Sequence, residues 1–449
     1  MTSTTDTSSA AASARSMRRV ALTALAGTSI EWFDFFLYGT AAALVFPAVF
    51  FSEDMPPYVS LIASFSTFAV GFLARPVGGV LFGHFGDRVG RKSALVTALL
   101  MMGIATTLIG ALPDYSTIGA VAPLLLILLR FTQGLAVGGQ WGGAMLLVTE
   151  NAPPEQRGYY GAFAQAGAPV GLILANLAFL ATTTTLSDDA FMNWGWRIPF
   201  LASVVLIGLS LYVQLKLEDT PAFRELQARR DNLPPTGEVA PSRPSPVLTV
   251  LREYPREITL GAGAFLAVQV TFYILITFVI AYGSNPVGLG LSRETMLTAV
   301  LISSAVQIPV LFICARFSDR HGRRGIYMLG ATLLGVWAFF IFPLIDTAEF
   351  LFITLSVSVG QIFIGMMYGP QAALLAELFT TEVRYSGASL GYQLGAILGG
   401  AMAPIVATAL LATFDSTLGI AIYVAFACAL TLASVYSLNE TYQANLEAD

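Results

Sequence analysis

Four ionisable side chains stand well inside apolar stretches of this chain: Glu31, Asp34, Arg75 and Arg130. The two acids belong to Gly27-Thr-Ser-Ile-Glu-Trp-Phe-Asp-Phe-Phe-Leu-Tyr38, within an apolar run over 20–46 long enough to cross a bilayer. On a helix Gly27, Glu31, Asp34 and Tyr38 fall at i, i+4, i+7 and i+11, so they form one stripe. Carboxylates facing lipid are costly, and the stripe must face a protein interior or a watery cavity. It is then either a proton or substrate site, or an acid pair neutralised by buried arginines for packing alone. Arg130 lies about three turns inside its own span. It is the buried cation best placed to meet Glu31 and Asp34 near mid-membrane. A purely structural pair there could be replaced by apolar packing at little cost, which favours a working role. Arg75 either snorkels to the near end of its span or reaches inward to an acid.

The rest of the chain must supply walls for this stripe. Of the 449 residues 55% are hydrophobic and only 11% charged, where soluble domains carry about 25% charged residues. Mean hydropathy is +0.71. Apolar runs predict twelve spans, near 20–46, 58–82, 93–112, 120–149, 158–181, 196–217, 258–283, 294–316, 326–345, 348–376, 386–411 and 416–437. The amino end and alternate loops, with their helix ends, hold 19 of the 23 Lys and Arg; the opposite loops hold Arg197 and Arg293. That asymmetry predicts a multi-pass protein of the cell membrane with both termini in the cytoplasm. Residues 1–19 are Ser/Thr/Ala-rich and expected to be disordered. Residues 20–217 and 258–437 form two six-span units; 218–257, with five prolines between 234 and 246, is the linker, and 438–449 the tail.

The two units repeat one another. Glu150-x4-Glu155-x-Arg157 recurs as Glu377-x4-Glu382-x-Arg384, Asp87 as Asp319, and Gln133 as Gln361, at offsets of 227, 232 and 228 residues. Parallel repeats of this kind place a binding site between the halves near the midplane. The fold expected is therefore all-α, two six-helix bundles about a pseudo-twofold axis along the membrane normal. The membrane cores of spans 7–12 hold no Asp, Glu, Lys or Arg; they offer Gln269, Tyr273, Gln307, Gln361, Tyr368, Gln371 and Gln393. Six of the residues from 134 to 143 are Gly or Ala, allowing close helix contact. Gly83-His-Phe-Gly-Asp-Arg-Val-Gly-Arg-Lys92 lacks the spacing of a nucleotide-binding loop and reads as an interhelical latch.

Several function classes fall away. A net charge of −5 excludes a nucleic-acid polycation. Cys314 and Cys428 sit in apolar runs and read as small core residues. His84 and His321 are expected in loops and no metal or catalytic constellation is read, so neither enzyme activity nor a cofactor is expected.

These motifs resemble a known group over almost the whole chain. The latches around Asp87 and Asp319, and Arg130-Phe-Thr-Gln-Gly134, look like signatures of the major facilitator superfamily. Glu31-Trp-Phe-Asp-Phe-Phe-Leu-Tyr-Gly39 with Gly138-Gly-Gln-Trp-Gly-Gly143 is similar to its metabolite:proton symporters, which carry shikimate, α-ketoglutarate, proline or betaine. The run 35–46 and Glu150-Asn-Ala-Pro153 resemble the shikimate-type branch. The resemblance implies alternating access, with Asp34 and Glu31 holding the coupled proton and Arg130 as their charge partner. Asp87, Arg88, Arg91, Glu150, Asp319, Arg320, Arg323, Glu377 and Arg384 would form the cytoplasmic gate. The expected pocket comprises Arg130, Trp32, Phe35, Tyr38, Gln133, Gln140, Trp141, Gln165, Tyr273, Gln361, Tyr368, Gln371 and Gln393. Gln140 stands where many relatives have Glu, which either leaves more of the coupling to Glu31 and Asp34 or weakens the coupling itself. The partners expected are protons, a small organic acid and membrane lipid, and the unit a monomer. The alternatives are a zwitterionic osmolyte as cargo, an antiporter, or a ligand sensor without flux.

Overall fold

The computed structural model describes residues 4–89, 91–138, 145, 148–149, 151–216, 252–285, 288–379 and 384–442. The twelve expected spans are helical: α1 Thr4–Leu44, α2 Pro57–Val89, α3 Arg91–Ala111, α4 Val121–Val137, α5 Arg157–Thr185 and α6 Arg197–Lys216 in the first half. In the second, α7 runs over Pro255–Ser284 and α8 over Arg293–His321, followed by α9 Arg323–Ile345 and α10 Phe350–Glu377. Helix α11 comprises Arg384–Gly395, a π-helical turn Ala396–Ala401 and Ala403–Phe414, and α12 is Leu418–Ser437. Among the described residues nine helices are long and apolar enough to cross a membrane, and two more apolar helices are shorter. Their outer faces carry exposed Leu73, Val80, Val205, Leu351 and Phe426, as a lipid-facing wall requires.

Helix α1 begins at Thr4, inside the stretch expected to be disordered. Ala10, Ala11, Ala12 and Ala14 are strong helix formers, and a helix already nucleated downstream extends through them at little cost.

Two close approaches set the positions of the buried charges. Helices α2 and α4 touch backbone to backbone: a Cβ on Gly78 or Gly138 would strike the Leu135 or Arg75 carbonyl, and one on Gly134 the Gly71 carbonyl. Helix α5 lies as closely on α1, where a Cβ on Gly171 would sit 2.7 Å from the Phe33 nitrogen. The halves meet along α5 with α8, α2 with α11, and α1 with α7. A π-helical turn over Ile274–Phe278 interrupts α7 directly after Tyr273, and that of α11 brings Gly400 against the Tyr273 ring. Such turns redirect side chains without ending a helix.

Candidate functional site

Helix α1 buries Asp34 and brings Glu31 to a wall between the halves. Asp34 is 1% exposed, and neither carboxylate oxygen has a hydrogen-bond partner. Arg130 is equally buried and Arg75 is 4% exposed. Among the described residues no ion pair joins any of the four charges.

Each guanidinium lies on aromatic rings instead. The Cζ of Arg130 is 4.2 Å from the ring centres of both Phe35 and Tyr38, and 4.9 Å from that of Phe68. Its Nη1 donates to Gln133 Oε1 at 3.0 Å, and Gln133 Nε2 donates to Thr106 Oγ1 at 2.7 Å. The direct pairing of Arg130 with Glu31 or Asp34 expected from the sequence is therefore absent in this conformation. The physical reason is the tight α2–α4 contact: a Cβ on Gly71 would lie 2.5 Å from Arg130 Nε, so the guanidinium is held against α2 and meets α1 through rings. Arg75 takes the inward alternative. Its Cζ lies 4.3 Å from the Phe35 ring centre, 4.7 Å from Phe72 and 5.5 Å from Trp32. Phe35 thus receives both cations.

Glu31 and Arg75 line a narrow cleft, part of it open to solvent, with Trp32, Phe35, Val137, Gly138, Ser389, Tyr392 and Gln393. A second narrow cavity is walled by Trp32, Ala168, Val268, Gln269, Phe272, Tyr273, Ile364, Tyr368 and Tyr392. Both halves contribute to each, and Trp32 and Tyr392 belong to both, so these two rings form the partition between them.

Of the pocket residues expected from the sequence, Trp32, Phe35 and Gln393 line the cleft, and Trp32, Tyr273 and Tyr368 the inner cavity. Gln165 lies between the halves, its Nε2 donating to the Tyr368 carbonyl at 3.4 Å. Arg130, Tyr38, Gln133, Gln361 and Gln371 line neither wall. Tyr38 donates to Thr67 Oγ1 at 2.7 Å inside the first half, Gln133 holds Arg130, and Gln371 donates to the Tyr327 hydroxyl at 2.8 Å inside the second. Gln361 is fully buried with its side-chain amide unpartnered. Gln140, Trp141 and Glu150 lie outside the described residues, as do the side chains of Asp87, Arg88 and Arg91. Tyr392, Ser389, Gln269 and Phe272 were not among the expected wall residues. A signal for Tyr392 existed: the repeat offset of 228 pairs Gln165 with its neighbour Gln393, and both amides stand at the boundary between halves.

At the end of the bundle with the basic loops the second half carries a closed charge cluster. Arg323 donates to Asp319 at 2.6 Å, to Glu377 at 3.0 Å and to Ser318 Oγ at 2.8 Å. Asp319 also reaches across to the first half, accepting from the backbone N–H groups of Gly158 and Tyr159, each at 2.8 Å. A carboxylate on the first turn of α5 satisfies donors that the helix leaves open and suits its dipole. Gly158 permits the approach, since a Cβ there would lie 2.6 Å from Arg323 Nη1 and 2.8 Å from the Ala315 carbonyl. Glu440 in turn accepts from the backbone N–H groups of Arg323 and Arg324 at 2.9 and 3.0 Å, and Thr441 Oγ1 donates to Glu377 at 3.0 Å. Gly158, Glu440 and Thr441 were missed by the sequence reading. Arg384 is buried and donates to the Phe379 carbonyl at 3.3 Å, whereas Arg320 is exposed and takes no part in the cluster. Arg320 sits one residue past Asp319, which turns it about 100° around α8 and away from α5. At the opposite end Arg293 pairs with Asp188, again across the halves.

Comparisons with known proteins agree with this architecture. Residues 26–404 match the model of the Major Facilitator Superfamily. The chain is 43% identical over 438 residues to the inner membrane metabolite transport protein YhjE of Escherichia coli K12, covering 96% of each. It is 38% identical over 430 residues to that organism's shikimate transporter, covering 95% of each, and 31% identical over 433 residues to its proline/betaine transporter, covering 95% of this chain and 84% of that one. A partially occluded inward-open structure of the E. coli xylose transporter XylE superposes with a TM-score of 0.72 at 15% identity, covering 95% of this chain and 98% of that one, which shows the shared fold. The chain therefore belongs to the major facilitator superfamily, and within it to the multi-pass metabolite carriers that include the shikimate-type branch.

Proposed function

We propose that this transporter is a proton-coupled symporter of a small organic acid, working by alternating access between its two halves, with the basic-loop end in the cytoplasm. The observation that carries the reading is Asp34, a carboxyl buried at the centre of the first half with no hydrogen-bond partner. A buried charge without a partner is costly, and taking up a proton removes that cost. A group in that position exchanges a proton only when the surrounding halves open it to one side. Latches at both ends support such a cycle, since Asp319 clasps α5 at one end and Arg293 holds Asp188 at the other. The cleft and inner cavity lie between the halves, where a carrier built from two repeats binds its cargo, and separation of the halves would widen them to admit it.

One observation favours a zwitterionic osmolyte as the second reading. Trp32, Phe272, Tyr273, Tyr368 and Tyr392 around the inner cavity form a set of ring faces that would hold a quaternary ammonium group.

The test is uptake into proteoliposomes under an inward proton gradient, comparing shikimate, α-ketoglutarate and glycine betaine. Accumulation of an acid is expected, and it collapses with a protonophore. Uptake that survives Asp34→Asn with its proton dependence unchanged would remove Asp34 from the cycle.

A further inference from the structure

We infer that Arg75 is the carboxylate receptor of the transport site, with Glu31 as the neighbouring acid whose protonation the incoming carboxylate favours. This inference rests on the transport reading above but does not require that transport be driven by protons.

Arg75 is 4% exposed, yet its Nε and Nη2 have no hydrogen-bond partner. Those two groups form the edge of a guanidinium that takes a carboxylate side-on through two parallel bonds. A buried cation with that edge unused has a strong unmet demand for an anion. The group is also held in place, since the rings of Trp32, Phe35 and Phe72 carry its planar face. Rigid placement of this kind lowers the entropic cost of binding.

Arg75 opens onto the cleft, where Gly138 and Val137 come from the same half and Ser389, Tyr392 and Gln393 from the other. A ligand held there touches both halves, as a transported substrate must. Gln393 Oε1 is buried without a donor, and the Ser389 hydroxyl lies on the same wall. The Trp32 and Phe35 rings supply apolar faces. The matching ligand is a compact metabolite bearing one carboxylate, with hydroxyl groups or an apolar frame beside it. An organic acid and a zwitterion such as betaine share that carboxylate.

Arg130 fits the receptor role less well. Its Nε and Nη2 are also without a partner, but it is absent from both walls, its Nη1 is taken by Gln133, and its Nε is held against Gly71. Among the described residues Glu31 is the one carboxyl in the cleft wall, and no ion pair joins it to another of them. The other ionisable groups around Arg75 are Tyr392 on α11, Tyr273 on α7, Tyr368 on α10 and, on the shared Phe35 ring, Arg130 on α4. None of these is an anion near neutral pH, so Glu31 alone balances Arg75 when the cleft lacks substrate. A bound carboxylate takes over that balance and favours the protonated form of Glu31, which couples the two ligands reciprocally.

The experiment is calorimetric titration of the purified full chain in nanodiscs, without a gradient. The probes are shikimate, α-ketoglutarate and glycine betaine, each against its carboxamide, which keeps the shape and removes the charge. In the wild type the preferred acid binds about 30-fold or more tightly than its amide, as two charge-assisted bonds demand. In Arg75→Gln that ratio falls below about threefold while the amide keeps its affinity, which also reports a folded site. Arg75→Lys recovers part of the ratio as a point charge. Glu31→Gln tightens acid binding and flattens its dependence on pH between 5 and 8. An Arg75→Gln protein that still separates acid from amide overturns the inference, as does a wild type that prefers the amides or binds none of the acids. If the acids bind through Arg75 but a proton gradient drives no uptake, the coupling reading fails and the receptor stands.

Discussion

Two buried charge clusters of this chain use the same residue types to opposite ends. At the basic-loop end Asp319, Arg323, Glu377 and Glu440 satisfy one another, the amides of α5 and those of α9. On α1, α2 and α4 of the first half Glu31, Asp34, Arg75 and Arg130 are buried or nearly so, and no ion pair joins them. The first arrangement holds a conformation. On the function proposed above, the second takes up a proton and an anion. Burial alone does not mark a working charge; burial without a partner does.

Breaking the satisfied cluster should have the larger effect on stability. Arg323→Ala leaves Glu377 and Asp319 buried and uncompensated, a loss of about 3–5 kcal/mol. Thermal unfolding in detergent measures it, and adding Glu377→Gln should return part of the loss. The unsatisfied cluster predicts the reverse. Asp34→Asn removes a charge that had no partner, so stability at pH 8 should not fall, while proton-driven accumulation drops by about 100-fold. An Asp34→Asn protein that melts as low as Arg323→Ala would show that the central acid is structural, and the contrast between the clusters would be lost.

Gly158 sharpens the comparison from the side of the latch. Gly158→Ala places a methyl against Arg323 and the Ala315 carbonyl. The crowding costs about 1–3 kcal/mol only while the halves are clasped. The equilibrium should shift toward the state open at the basic-loop end by about tenfold. Alkylation of a cysteine placed at Ser389 in the cleft would then be faster by a similar factor.

The sequence disclosed the central charges more readily than their surroundings. Acids four and seven residues from Gly27 stand out in an apolar run, and the span count and repeat follow from composition and offset. What held Arg130 was not legible, because it depends on Gly71 and Gly134 letting two backbones touch, a fact of helix rotation rather than of spacing. Arg75 was ambiguous for the same reason: a long side chain near a helix end can point either way, and the rings that draw it inward come from α1 and α2 together. Gly158 and Glu440 escaped because each acts through contacts with residues more than a hundred positions distant. Neither carries a local motif.

The weakest contact between the halves provides the smallest test. Asp188 is largely exposed, with 87% of its side chain accessible, and its pair with Arg293 is open to solvent and salt. Exposed pairs contribute about 0.2–1 kcal/mol. Asp188→Asn should therefore leave the melting temperature within error and raise access from the opposite end by no more than about fivefold. That small gain should vanish at 0.5 M salt, where the wild-type pair is already screened. The two latches would then differ in kind. The one at the basic-loop end sets which conformation rests, and the one at the opposite end is light enough for a bound substrate and a proton to tip. An effect of Asp188→Asn as large as that of Gly158→Ala would reverse this order and make the opposite end the controlling gate.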